Sequence, residues 1–386
     1  QGFVEYGIGG RISKNIYKPN DILLNEARLQ IEFSKDVNSS SFNFKSDFYK
    51  DEYSGKTEIS IREANINYSP SQKLEFKIGS QILTWGTGDL VFANDVFPKD
   101  WNPFFLGRAD EYLKAPITAL KTSYFSNFGD FNFVISPKFT PDDYLTGERM
   151  SYWDFNGLTG VVFQDARPTK DFKNSEFYFR FSKSIANIET AIYSYKGFMK
   201  RPLGFNPSIN SVYFPKQAVH GLSCRGQFLN GIANIEAGYY DSIEDRHGTQ
   251  ANIDNSMIKS IIGYEKELYM NLTSAVQYFS EYMLHYNKYK NSLNSLGLPA
   301  YKKENHDWIT LRLTKLAWQQ TLVLSFFGYY SPAESDWYLR PNALYKANDQ
   351  LSIAAGFNIF GGKYDYTFFG QLEDNTNAYL RIRYAY

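Results

Sequence analysis

Amphipathic segments with a repeat of two run along the whole chain, and the connections between them alternate between tight and long. In Leu74, Phe76 and Ile78, with Glu75, Lys77 and Gly79 between them, apolar and polar side chains take opposite faces of an extended strand. Phe177, Phe179 and Phe181 alternate in the same way with Tyr178, Arg180 and Ser182, and Ala233, Ile235 and Ala237 with Asn234, Glu236 and Gly238. Ile309, Leu311 and Leu313 do so with Thr310, Arg312 and Thr314.

A soluble sandwich would produce this alternation too, so the connections decide between the two. Tight ones fall at 35–40, 70–72, 127–130, 184–187, 229–231, 266–268, 315–318 and 347–350. Long ones fall at 86–115, 140–174, 199–214, 241–256 and 282–305. Two kinds of connection in strict alternation place all hairpin turns at one rim of a sheet and all long loops at the other. The expected fold is all-β: one transmembrane antiparallel barrel of about 18 strands over residues 1–386, with short periplasmic turns and long extracellular loops. Only a closed ring satisfies every backbone hydrogen bond where lipid offers none, so the first and last strands must pair. Parity then makes 360–376 a loop.

Composition agrees. Tyr (31) and Phe (32) are spread along the chain and bring the aromatic fraction to 18%, more rings than one soluble core needs. Trp85, Trp308, Trp318 and Trp337 are expected as interface anchors. No stretch is apolar enough for a spanning helix. The 41 basic and 41 acidic residues balance, which removes any charge argument for binding nucleic acid. Cys224 stands alone, and no Cys/His spacing points to a metal or haem, so no cofactor is expected. The histidines, His220, His247, His285 and His306, sit in no nucleophile motif, which argues against an enzyme. The chain starts at Gln1 without Met, the form expected of an exported protein with its signal peptide removed.

Charges inside strands should face the lumen, because Arg or Lys on the lipid face near the midplane costs roughly 2–4 kcal/mol. This assigns Arg28, Lys77, Lys121, Arg180, Arg225, Arg312, Arg340, Arg381 and Arg383 to the pore lining, with Glu32, Glu63, Glu75 and Glu236 as the acidic members. Arg62 breaks the parity and calls for a bulge or a headgroup position. The loop 86–115 carries Asp89, Asp95, Asp100, Arg108, Asp110 and Glu111 beside Trp101, Phe104 and Phe105, too aromatic to be merely solvated. It is expected to constrict the pore, and 140–174 to fold into or over the lumen.

Several motifs carry a resemblance. They are Ile61-Arg62-Glu63-Ala64 before Tyr68, Ile78-Gly79-Ser80-Gln81 leading to Trp85-Gly86, and Asp89, Asp95-Val96-Phe97-Pro98 and Asp100. With Phe369-Gly370-Gln371, Asp374-Asn375 and the ending Tyr379-Leu380-Arg381-Ile382-Arg383-Tyr384, the chain resembles a family of porin-like outer-membrane proteins distantly similar to alginate-export barrels. The resemblance implies a Gram-negative outer-membrane channel surrounded by lipid and lipopolysaccharide. It also implies that Tyr384 and Tyr386 form the signal read by the barrel assembly machinery, although the family usually ends on Phe. The expected function is diffusion or facilitated transport of small polar, mainly anionic, solutes. The alternative is a barrel serving as a sleeve for a partner protein.

Overall fold

The computed structural model describes residues 1–154, 157–209 and 211–386. The first half of an 18-stranded sheet consists of β1 (Gly2–Arg11), β2 (Ile22–Val37), β3 (Ser40–Asp51), β4 (Lys56–Ser71), β5 (Leu74–Gln81), β6 (Ile117–Phe125), β7 (Asp130–Ser136), β8 (Glu176–Ile185) and β9 (Ile188–Phe198). The second half consists of β10 (Lys216–Phe228), β11 (Gly231–Ser242), β12 (Met257–Tyr269), β13 (Leu272–Met283), β14 (Asn305–Ala317), β15 (Leu322–Ser331), β16 (Asp336–Lys346), β17 (Leu351–Gly362) and β18 (Asn377–Ala385). Each strand pairs antiparallel with its neighbour. β1 closes the ring on β18, with Val4 opposite Tyr384 and Ile8 opposite Leu380.

The two faces differ as the alternation requires. Ile78, Phe177, Ile235, Ile262 and Ile309 point outward and are exposed, part of an apolar surface that continues around the ring. A surface of that extent needs hydrocarbon around it. Inward positions hold buried polar groups such as Glu5, Arg28, Asp47, Asn132, Glu236 and Gln277.

Tight turns join β8 to β9 through Ala186 and Asn187 and β10 to β11 through Leu229 and Asn230. Each pair has two positive φ angles, the backbone of a two-residue turn that matches strand twist. Two expected turns shift. The turn placed at 266–268 lies at Met270 and Asn271, because a register shift between Glu267 and Tyr269 interrupts the alternation of β12. The turn placed at 315–318 lies at 318–321, where Trp318, Gln319 and Gln320 all take positive φ. At the opposite rim, the connections 52–55 and 332–335 are short as well, so that rim is not uniformly long-looped.

The tryptophans divide. Trp318 and Trp337 are exposed on the barrel surface, as interface anchors would be. Trp85 and Trp308 instead point inward, Trp85 against Phe97 at 4.9 Å and Trp308 stacked on Phe279 at 5.4 Å. Sequence position near a strand end does not distinguish the two sides of a wall.

Candidate functional site: a loop across the lumen

The connection 82–116 between β5 and β6 enters the barrel. Its backbone turns at Gly86 (φ 81°), where a Cβ would lie 3.0 Å from a carboxylate oxygen of Glu236. Asp100 then caps a short helix, α1 (Trp101–Leu106), by accepting from the Asn102 amide at 3.1 Å. Gly107 (φ 84°) ends α1, and a Cβ there would fall 2.1 Å from the ring of Tyr379. Only glycine meets both demands.

The buried side of this loop is apolar. Phe104, Phe105, Leu106 and Leu113 pack with wall residues Leu23, Ile261, Phe279, Phe327, Tyr329 and Tyr338. Val96 and Phe97 pack with Ile117, Val134, Tyr178, Tyr195 and Tyr240. The hydrophobic core of this barrel therefore lies inside the ring, between loop and wall.

Polar anchors run around the circumference. Glu236 of β11, 1% exposed, accepts from the Thr87 amide, the Gly88 amide at 2.8 Å, the Asn94 amide at 3.2 Å and Asn94 Nδ2 at 3.0 Å. Gln277 of β13 accepts from the Asp89 amide at 2.8 Å, and Arg312 of β14 holds the Asp89 carboxylate at 2.8 Å. Tyr329 of β15 donates to Leu90 O at 2.8 Å, and Tyr338 of β16 to Phe104 O at 3.1 Å. Arg340 of β16 pairs with Asp110 at 2.8 Å and Arg383 of β18 with Glu111 at 3.2 Å. Glu26 of β2 takes Arg108. β2 and β11 stand half a circumference apart in the 18-strand ring, so the loop spans the lumen.

Arg62 explains its own broken parity. The β3–β4 register passes from Lys45 opposite Glu63 to Ser46 opposite Ile61, leaving Arg62 as the extra residue of a bulge. The bulge turns its guanidinium inward, where it donates to Glu111 O at 2.9 Å and Lys114 O at 3.0 Å and lies over Tyr112.

Residues named from sequence as pore-lining all project from the inward set, and most are paired. Arg28 bonds Glu26 and Asp47, Lys77 lies 3.7 Å from Glu63, and Arg180 bonds Glu189 at 2.6 Å. Arg381 and Arg383 share Glu5, and Glu32 lies 3.5 Å from Lys45. Lys121, Arg225, Glu75 and Glu236 are in no ion pair among the described residues, and Glu236 spends its oxygens on the loop donors instead. Among the loop charges, Asp89, Arg108, Asp110 and Glu111 pair with the wall, whereas Asp95 pairs with Lys99 at 3.1 Å inside the loop. Tyr384 and Tyr386 are exposed on the outer face. Sequence reasoning missed Glu5, Glu26 and Asp47. Glu5 and Glu26 could have been found, because they share the parity of Val4's inward neighbours and of Arg28 respectively.

Asp100 and Asp143 meet where this loop touches the loop 137–175, joined by the Trp101 amide donating to Asp143 O at 2.8 Å. Burial first, and the neighbouring Asp143 second, push the Asp100 carboxyl up to about 8. The two line a polar cavity of about 180 Å³ with Asp51, Arg108 and Arg149. Elsewhere in 137–175, Met150 is buried in the core, Arg149 reaches Asp51, and Val161 and Phe172 stay exposed.

His220 faces outward from β10, its Nδ1 3.2 Å from Ser194 Oγ, with no carboxylate bonded to it among the described residues. That is not the arrangement of a hydrolytic triad.

No family model and no curated protein sequence matches this chain. The resemblance to alginate-export barrels thus finds no support. Solved structures do match. OccAB3 of Acinetobacter baumannii superposes with a TM-score of 0.58 at 10% identity, covering 99% of this chain and 97% of that one. OccAB4 of the same organism gives 0.58 at 9% identity over 99% and 96%, and Pseudomonas aeruginosa OccD3 gives 0.55 at 9% identity over 99% and 89%. At such identities the likeness concerns architecture: this chain has the closed 18-strand antiparallel barrel fold of the outer-membrane porins.

Proposed function

We propose that this protein is a Gram-negative outer-membrane channel for small polar solutes, anions above all, narrowed by the loop 82–116. In this reading the tight turns and both termini face the periplasm and the long loops face outward. The observation that carries it is which inward charges can meet a solute: Lys121 and Arg225 have no carboxylate at ion-pair distance among the described residues, whereas of the acidic pore-lining residues in no ion pair Glu236 is buried under loop donors and Glu75 lies close enough to act on Lys121. A low-dielectric wall concentrates the field of such cations and favours anion entry even at zero net charge. The loop supports gating, since its attachments to the wall are hydrogen bonds, ion pairs and packing, all reversible. The sleeve reading is disfavoured by the same loop, which already occupies the space a partner would thread.

Reversal potentials in planar bilayers test this. The unmodified protein should prefer anions, and Lys121→Glu combined with Arg225→Glu should move the reversal potential towards cation preference. Cation preference in the unmodified protein would remove the anionic part. Absence of any conductance, even with 86–115 excised, would sink the channel.

A further inference from the structure

Beside the loop, towards the long-loop rim, lies a chamber of about 390 Å³, within the size range of pockets that take small organic ligands. One side of it is aromatic. Phe92 and Trp101 meet edge to face at 6.1 Å, and Trp308 packs against Phe368 at 5.4 Å. Tyr301 and Tyr366, 5.0 Å apart, extend the same lining.

The charges of the chamber are unevenly satisfied. Every carboxylate lining it has a donor. Asp95 has Lys99, Asp142 has the Trp101 indole at 3.2 Å, and Asp254 has Lys302. Glu281 has Lys259, and Glu334 has His306. The cations are not all answered. Arg201 is half-buried with no carboxylate at ion-pair distance among the described residues, acting on Glu281 only from farther off, and Lys303, exposed at the edge of the chamber, donates only to the Ala333 carbonyl. Aromatic faces beside two cations held in no salt bridge match a ligand that carries both a ring and a negative charge.

We infer that this chamber binds a small aromatic anion, its ring against the Trp101 and Trp308 side and its carboxylate near Arg201 and Lys303. The inference rests on the channel reading above and names a solute class that would dwell on its way through. A purely aliphatic acid would leave the rings unused, and a neutral aromatic would leave the cations unanswered.

Isothermal titration of the folded protein in detergent with benzoate, acetate and benzyl alcohol tests it, with bilayer conductance recorded on the same preparation. Benzoate should bind saturably, and the other two at least tenfold more weakly. Arg201→Gln with Lys303→Gln should weaken benzoate at least tenfold, the β-sheet circular dichroism showing that the barrel is intact. Equal binding of acetate or benzyl alcohol, or unchanged benzoate affinity in the double variant, overturns the inference. A conducting barrel that ignores benzoate does so while leaving the channel standing; a barrel that binds benzoate but never conducts supports the chamber and removes the channel.

Discussion

Glu236→Gln should release the loop. In the unmodified protein one carboxylate oxygen accepts from the Thr87 and Gly88 amides, and the other from the Asn94 amide and Asn94 Nδ2. Glutamine keeps one acceptor and turns the other into a donor that faces two donors. A hydrogen bond to a charged group contributes roughly 1.5–3 kcal/mol, so losing two of the four weakens this anchor by about 3 kcal/mol at the least. That corresponds to a shift of roughly 100-fold in the ratio of packed to released loop. The wall itself should survive, because the β11 ladder does not involve this side chain. Single-channel recordings should show larger or noisier conductance, and brief protease treatment should cut within 82–116 faster than in the unmodified protein. Unchanged conductance together with unchanged cleavage would refute the idea that Glu236 suspends the loop.

Two further outcomes follow from the same geometry. Because the Asp100 carboxyl is raised to about 8, the packed loop holds a proton between about pH 4 and 8 that a released loop gives up, so packing is firmest in acid and weakens as the pH rises through that window. Conductance should therefore climb from pH 4 to 8, and Asp100→Asn, which preserves the α1 cap, should flatten the profile; a slope unaltered in the variant would exclude Asp100 as its source. Ile262→Arg places a charge in the middle of β12 on the outer face, where Ile262 is 60% exposed, and should cost roughly 2–4 kcal/mol in urea unfolding from lipid vesicles. An unchanged midpoint would mean that this face does not meet hydrocarbon.

The amino-acid order alone determined the strands, their inward and outward faces, and most of the turns. Side-chain alternation is a local property, and the sign of each position follows from the cost of charge in lipid. It also marked 86–115 as too aromatic to be solvated and Arg62 as a residue out of step. Partners across the lumen were not legible: Asp89 and Arg312, or Arg108 and Glu26, are brought together only when the ring closes and the loop crosses it. Hence the inward arginines read simply as pore lining, whereas Arg312, Arg340 and Arg383 clamp the loop to the wall. Trp85 and Trp308 were misplaced for the same reason, since the apolar core they join exists only once the loop occupies the interior. Local periodicity fixes which way a side chain faces, but what it meets there depends on closure of the barrel and on the path of a single loop.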